Sequence, residues 1–327
     1  MKLIGLLLLL GLASVVEGEV VVSFLSSCPD FFIKDQNDNP VTPTVLSPES
    51  RYKQICQKYK GKRSSLNQDW SLMRTNRSTL FQLFDTHSHT DTDKSNKSTG
   101  YRYATLYDND NRIPVYSAYL YTDYALTNRT TPWMIEPQLD GHSQEEMTTE
   151  ENVDGQLGTN QALNGDYLYR DKGYERGHLY PRCQNCDQDQ VESTFTLTNA
   201  APQTAQDSKR WYDQVEKKIA QRMSDKCSER TAFVVTGVVP GGKYLGRFSF
   251  LFMNDHGVVV ASHFWSAFCC KDKYDQNTLI SEGYILEMKG DGSAEAVNQT
   301  LNQLNHDLAI KYSSSNFQVF GSIQGCS

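Results

Sequence analysis

Past its first eighteen residues the chain has no run of about 18 uninterrupted apolar residues, the length a membrane-spanning helix needs, so no later segment is expected to cross a bilayer. It also lacks an overall basic charge. The formal net charge is −7, so attraction to a polyanion has to come from local patches. Internal repeats and low-complexity linkers are absent, which favours one α+β domain of about 300 residues. Three metal and nucleotide signatures are missing as well. Cys183 and Cys186 form a CxxC without the second pair or spaced histidines of a zinc site. The stretch from Asp108 lacks the sixth-position Gly and acidic twelfth residue of a calcium loop, and Gly241-Gly242-Lys243 lacks the spacing of a phosphate loop.

What is present begins with an address. Met1-Lys2, an apolar run Leu3 to Val16 and then Glu17-Gly18 read as a secretory signal over 1–18, leaving 19–327 as the exported domain. Eight cysteines, an even number, suit disulfides in an oxidising compartment, with connectivity left open. Sequons at Asn76, Asn96, Asn128 and Asn298 fit the same secreted, glycosylated route.

Along the chain, the spacing predicts a disulfide-tied lead-in with one helix near Pro48 to Tyr59. A solvated loop follows at Thr86 to Gly100, His87 and His89 included. Tyr101–Tyr107 and Ile113–Tyr121 alternate like strands around a tight turn at Asp108–Asn111. Glu136 to Leu168 reads as a long polar connection. Further strands are expected at Phe195–Thr198, Ala232–Val239, Phe248–Met253 and Val258–Trp265, with a hairpin turn at Pro240–Gly242. Helices are expected over Ala205–Met223, striped by Trp211, Val215 and Ile219, and over Ser293–Tyr312.

The chemistry concentrates around Arg176-Gly177-His178. In an extended strand Arg176 and His178 project to one side, and Gly177 between them would let a ligand approach the backbone. A neutral imidazole can take a proton from water, and a guanidinium can pair with two phosphate oxygens. Arg170, Lys172 and Arg182 add positive charge nearby, and a second basic cluster runs from Arg51 to Arg77. Cutting a phosphodiester also calls for a hard cation with oxygen ligands. Asp207 and Ser208 open a helix that can supply them, with Asn199 just upstream as a substrate contact. Glu216, eight residues past Ser208, lies about a quarter turn further round at about 100° per residue.

Glu175-Arg176-Gly177-His178-Leu179, then Phe195 to Gln203, then Arg210-Trp211-Tyr212, resemble the DNA/RNA non-specific endonuclease family of DRGH type. Ile113–Tyr119, Val235–Pro240 and Phe264–Cys270 are similar to a secreted vertebrate branch of it. The resemblance implies a ββα-metal nuclease fold, a mixed central antiparallel sheet with flanking helices, stabilised here by disulfides. It implies His178 as general base, Arg176 on the phosphate and Glu216 assisting the waters of a single divalent ion. Mg²⁺ is the expected ion, with Mn²⁺ or Ca²⁺ as alternatives. Two positions depart from the pattern: Glu175 stands for the family's Asp, and the metal-ligand Asn falls on Ser208, with Asp207 beside it as the substitute oxygen donor.

The expected function is a secreted, divalent-metal-dependent endonuclease hydrolysing DNA, with RNA left open as a second substrate. His178, Arg176 and Glu216 are its catalytic residues. Arg176, Arg182 and Asn199 are its substrate contacts. The alternative is a catalytically lapsed nuclease fold kept as an extracellular binding module, motivated by Ser208. Oligomeric state is not encoded in any pattern here.

Overall fold

The computed structural model describes residues 20–44, 46, 50–58, 101–124, 132–168, 173–185, 188–245 and 257–326. The leader, the sequons at Asn76, Asn96 and Asn128, His87 and His89, Arg170, Lys172, Cys186, the strand expected at Phe248–Met253 and most of the first basic cluster lie outside the described residues.

Among the described residues ten strands follow in chain order: β1 (Val20–Val21), β2 (Tyr52–Lys58), β3 (Tyr101–Asp108), β4 (Ile113–Leu120), β5 (Tyr174–His178), β6 (Ala200–Thr204), β7 (Phe233–Leu245), β8 (Val258–Lys271), β9 (Leu279–Glu287) and β10 (Val297–Gln299). The α-helices described there are α1 (Phe24–Ser27), α2 (Asn164–Leu168), α3 (Gln188–Ser193), α4 (Ala205–Trp211), α5 (Lys217–Lys226) and α6 (Leu301–Lys311). Eight strands form one sheet in the order β1-β2-β3-β4-β7-β8-β9-β10, while β5 and β6 pair separately. Every described strand pair is antiparallel, so the expected mixed sheet is antiparallel instead.

Alternation along the two longest strands builds two cores. Val234 and Val238 of β7, with Phe264 and Phe268 of β8, face one side, where Trp211, Val215 and other residues of the α4–α5 segment pack on them. Val235 and Val239, with Trp265 and Ala267, face the other side, against Leu304 and Leu308 of α6. Each buried Val, Leu or Phe among them contributes about 1.5–3 kcal/mol. A side-chain period of two also explains the adjacent cysteines of β8. Cys270 reaches Cys227 after α5, while Cys269 reaches Cys326 on the opposite face. A third disulfide joins Cys28 to Cys56. Closing loops of 43 and 57 residues removes about 4 kcal/mol of unfolded-chain entropy each. Cys183 is buried and forms no disulfide among the described residues, which corrects the expectation that all eight cysteines pair.

Several local expectations change. Tyr52–Lys58 is a strand, because its residues pair with β3 and Cys56 is tied to Cys28, so no helix forms there. Phe195–Thr198 makes only an isolated parallel bridge from Thr196 to Met134 and a 3-10 turn at Leu197–Asn199, and the strand begins at Ala200. Pro240–Gly242 is no hairpin turn but a break in register within β7, after which Lys243 pairs with Val260. Ser293–Tyr312 divides into β10 and α6, because Thr300 caps the helix through a capping box with Gln303. The tight turn between β3 and β4 is present. The Asp108 carboxylate accepts from Asp110 N and Asn111 N, both at 3.1 Å, while Arg112 adopts φ 54°.

Candidate active site

The antiparallel pair β5–β6 sets the site. Its register places His178 opposite Ala200 and Gly177 opposite Ala201. Arg176 and His178, two apart on β5, line the same cleft of about 370 Å³. Opposite them the α4–α5 segment contributes Ser208 and Glu216, and Arg182 lies at its exposed edge. The structure therefore brings together five of the expected residues: Arg176, His178, Arg182, Ser208 and Glu216.

Ser208 and Glu216 meet because the helix is not uniformly α. A π-helical turn spans Tyr212–Glu216 between α4 and α5. Such a turn absorbs about one extra residue, so eight residues advance the helix like about seven, close to two full turns. The quarter-turn offset is removed, and both side chains face the cleft. Glu216 is half-buried, and its burial pushes the carboxyl up to about 7. The nearby Trp211 indole N–H and the Arg182 charge oppose that rise.

His178 is seated between aromatic rings. Its imidazole lies 4.9 Å from the Trp133 ring and 4.8 Å from Phe195, edge-on at 88°. Arg176 is held by the long polar connection, through Asn164 and Tyr167, and by Trp133. Its guanidinium stands 5.0 Å over the Tyr167 ring and 5.5 Å from Trp133, and Nη2 donates to Asn164 Oδ1 at 2.9 Å. Within that segment buried Gln161 bridges Glu136 and Asp140, and Asn164 at the start of α2 meets Arg176 of β5. Trp133, Asn164 and Tyr167 carry no motif, so only their placement identifies them.

Two expected site residues serve elsewhere. Asn199 is fully buried. Its Oδ1 accepts from Ser117 Oγ and Tyr180 N, both at 2.9 Å, and its Nδ2 donates to Tyr180 O and Thr194 O at 3.2 and 3.0 Å. With all four positions used, it clamps the chain just after His178, and this corrects its assignment as a substrate contact. Asp207 sits in the first turn of α4, where the Thr204 hydroxyl accepts from its N–H at 3.1 Å. Its carboxylate turns away from the cleft and accepts from Gly290 N at 2.7 Å and Gly292 N at 3.2 Å. Asp207 is thereby engaged as a loop anchor, which corrects its role as substitute metal ligand. The space where a Gly177 Cβ would stand is taken, at 2.2 Å from Gln203 Oε1, while the glycine itself lines the cleft.

Of the residues expected to serve the metal, the Glu216 carboxylate and the Ser208 hydroxyl line the cleft, beside the Gln203 amide and the Tyr212 hydroxyl. Among the described residues there is no cluster of three or more His, Cys, Asp or Glu able to hold a metal. This sparse set fits a hard ion such as Mg²⁺, which retains several waters and takes one or two protein ligands plus phosphate oxygens.

An imidazole beside one guanidinium, near a second and faced by a carboxylate, has the equipment for attack on a phosphodiester. Residues 82–316 match the family described as DNA/RNA non-specific endonuclease, and the chain belongs to that family. It is 36% identical over 175 residues to the human (Homo sapiens) endonuclease domain-containing 1 protein, covering 52% of this chain and 32% of that protein. The mouse (Mus musculus) protein of the same name is 34% identical over 177 residues, with the same coverage of 52% and 32%. The chain thus spans about a third of the length of these curated relatives. A chain of the crystal structure of the EndoG/EndoGI complex is similar over 68% of this chain and 84% of its own length, with 19% identity and a TM-score of 0.47.

Proposed function

We propose that this chain is a divalent-metal-dependent endonuclease that hydrolyses phosphodiester bonds of DNA, with a ββα-metal type of site in one nuclease domain over 19–327. Family membership supports nucleic acid as substrate. The observation that carries the residue assignment is the convergence of Arg176, His178, Arg182, Ser208 and Glu216 on one cleft. His178 takes a proton from a water, whose oxygen attacks phosphorus in line as the bond to the leaving oxygen breaks. Aromatic packing holds the ring in place for that transfer. Arg176 and Arg182 stabilise negative charge on the phosphate. Members of this family generally use a divalent metal ion. Such an ion, held here by Glu216 and Ser208, would neutralise charge on the phosphate and leaving oxygen.

Three disulfides among the described residues support work in an oxidising, extracellular setting. No described helix is long and apolar enough to cross a membrane. The test is degradation of supercoiled plasmid by the purified chain with added Mg²⁺, with and without chelator. Cleavage that the chelator abolishes is expected. A chain that leaves plasmid intact until Ser208→Asn is introduced would instead identify a lapsed nuclease serving as a binding module.

A further inference from the structure

The Gly241-Gly242-Lys243 sequence, neither a turn nor a phosphate loop, forms part of a second pocket of about 410 Å³. This pocket adjoins the cleft: Gln203 lines both, and Tyr174 at the start of β5 lines the second while His178 at its end lines the first. Four residues of strand span about 13 Å at about 3.3 Å per residue. In a strand stacked as in a duplex, with a rise of about 3.4 Å per nucleotide, that corresponds to about four nucleotides, and to fewer in an extended strand.

The pocket has a positive rim. The register breaks around Pro240 and resumes at Lys243 opposite Val260, and such a bulge re-aims the side chains that follow it. Lys243 Nζ stands 4.7 Å over the Tyr174 ring and donates to its hydroxyl at 3.1 Å, so an exposed lysine is held at a fixed place. Gly242 leaves open space, with no atom within 4 Å of where a Cβ would be. Lys289 is the second cation. Its pairing with exposed Glu287 is loose, at 3.8 Å, and exposed pairs of this kind are weak. The acid lining the pocket, Asp207, has its oxygens committed to the Gly290 and Gly292 amides.

We infer that this second pocket is a phosphate subsite for the nucleic-acid strand being cut, with Lys243 and Lys289 contacting phosphates a few nucleotides from the scissile bond and Tyr174 positioning Lys243. The inference rests on the nuclease reading and adds the path of the substrate. It gives the enzyme a preference for long strands that a trinucleotide, too short to reach past Gln203, does not exploit.

The test measures kcat/KM on a trinucleotide and on a DNA strand of about 20 nucleotides over a range of salt concentrations, for the full chain, Lys243→Gln, Lys289→Gln, the double variant and a distant control, Lys271→Gln. The double variant is expected to lose about tenfold of the preference for the long substrate, and its salt slope to fall by about 1.4, about 0.7 for each single-strand phosphate contact removed. The control keeps both. Equal slowing on both substrates, or an unchanged preference and salt slope while the parent chain cleaves, overturns the subsite alone. A parent chain that cleaves neither substrate overturns the nuclease reading and the subsite with it.

Discussion

Gln203 occupies the volume that a side chain on Gly177 would need: a Cβ at that position would lie 2.2 Å from Gln203 Oε1 and 2.5 Å from its Cδ. The glycine of the Arg-Gly-His motif is therefore a packing requirement of the β5–β6 pair. Gly177→Ala should destabilise the fold by about 1–3 kcal/mol through overpacking. Gln203→Ala in the same chain should recover most of that loss in urea unfolding. Additive losses would mean that the two residues do not compete for space.

Asn199 should behave as a clamp. Asn199→Ala removes the buried side-chain partner of the Tyr180 amide and carbonyl and of the Thr194 carbonyl, and leaves the Ser117 hydroxyl with Thr105 alone, and should cost about 3 kcal/mol or more. Thermal unfolding measures it. A variant as stable as the parent but weak in nucleic-acid binding would return Asn199 to the role of substrate contact.

Glu216 links stability to pH. Its folded-state pKa of about 7 is raised by burial from the ordinary 4.5, so the folded protein holds this proton more tightly than the unfolded chain. The associated stability is fully present below about pH 4.5 and is lost as pH rises through 7. Glu216→Gln, which never ionises, should therefore gain about 1–3 kcal/mol relative to the parent between pH 5 and pH 8 in metal-free buffer. Denaturant melts at the two pH values read this directly, and a gain in the opposite direction would show that Glu216 is stabilised as the carboxylate.

Arg176 is fixed by shape as well as charge, between the Tyr167 and Trp133 rings and Asn164. A lysine keeps the charge but loses the planar stack and the fork. Arg176→Lys should lower kcat/KM by about 10- to 100-fold with little change in melting temperature. Full activity in the lysine variant would reduce the role of Arg176 to a generic positive charge.

Much of this was legible in the residues. Strict alternation exposed β3, β4, β7 and β8, and the Trp211, Val215, Ile219 stripe exposed the long helix, because a two-sided sheet and a one-sided helix leave opposite periodic traces. The motif pointed to Arg176, His178 and Glu216, which line one cleft. Other features have no local trace. The π turn that aligns Ser208 with Glu216 is a property of packing, and β9 shows no clean alternation, since Leu279 to Glu282 are all only half-buried. Asp207 looks like any acid in a first helical turn until Gly290 and Gly292, more than eighty residues away, are seen to bind it. Thr300 displaced the start of the last helix, because a capping box outweighed the apolar Val297, which is 52% exposed on the edge strand.

The central claim is that the His178 imidazole performs the proton transfer, and the single-turnover rate of DNA cleavage by His178→Ala tests it most directly. With metal saturating and nucleic-acid binding unchanged, the account predicts a fall of about 10²- to 10⁴-fold. A rate equal to that of the parent chain would contradict it.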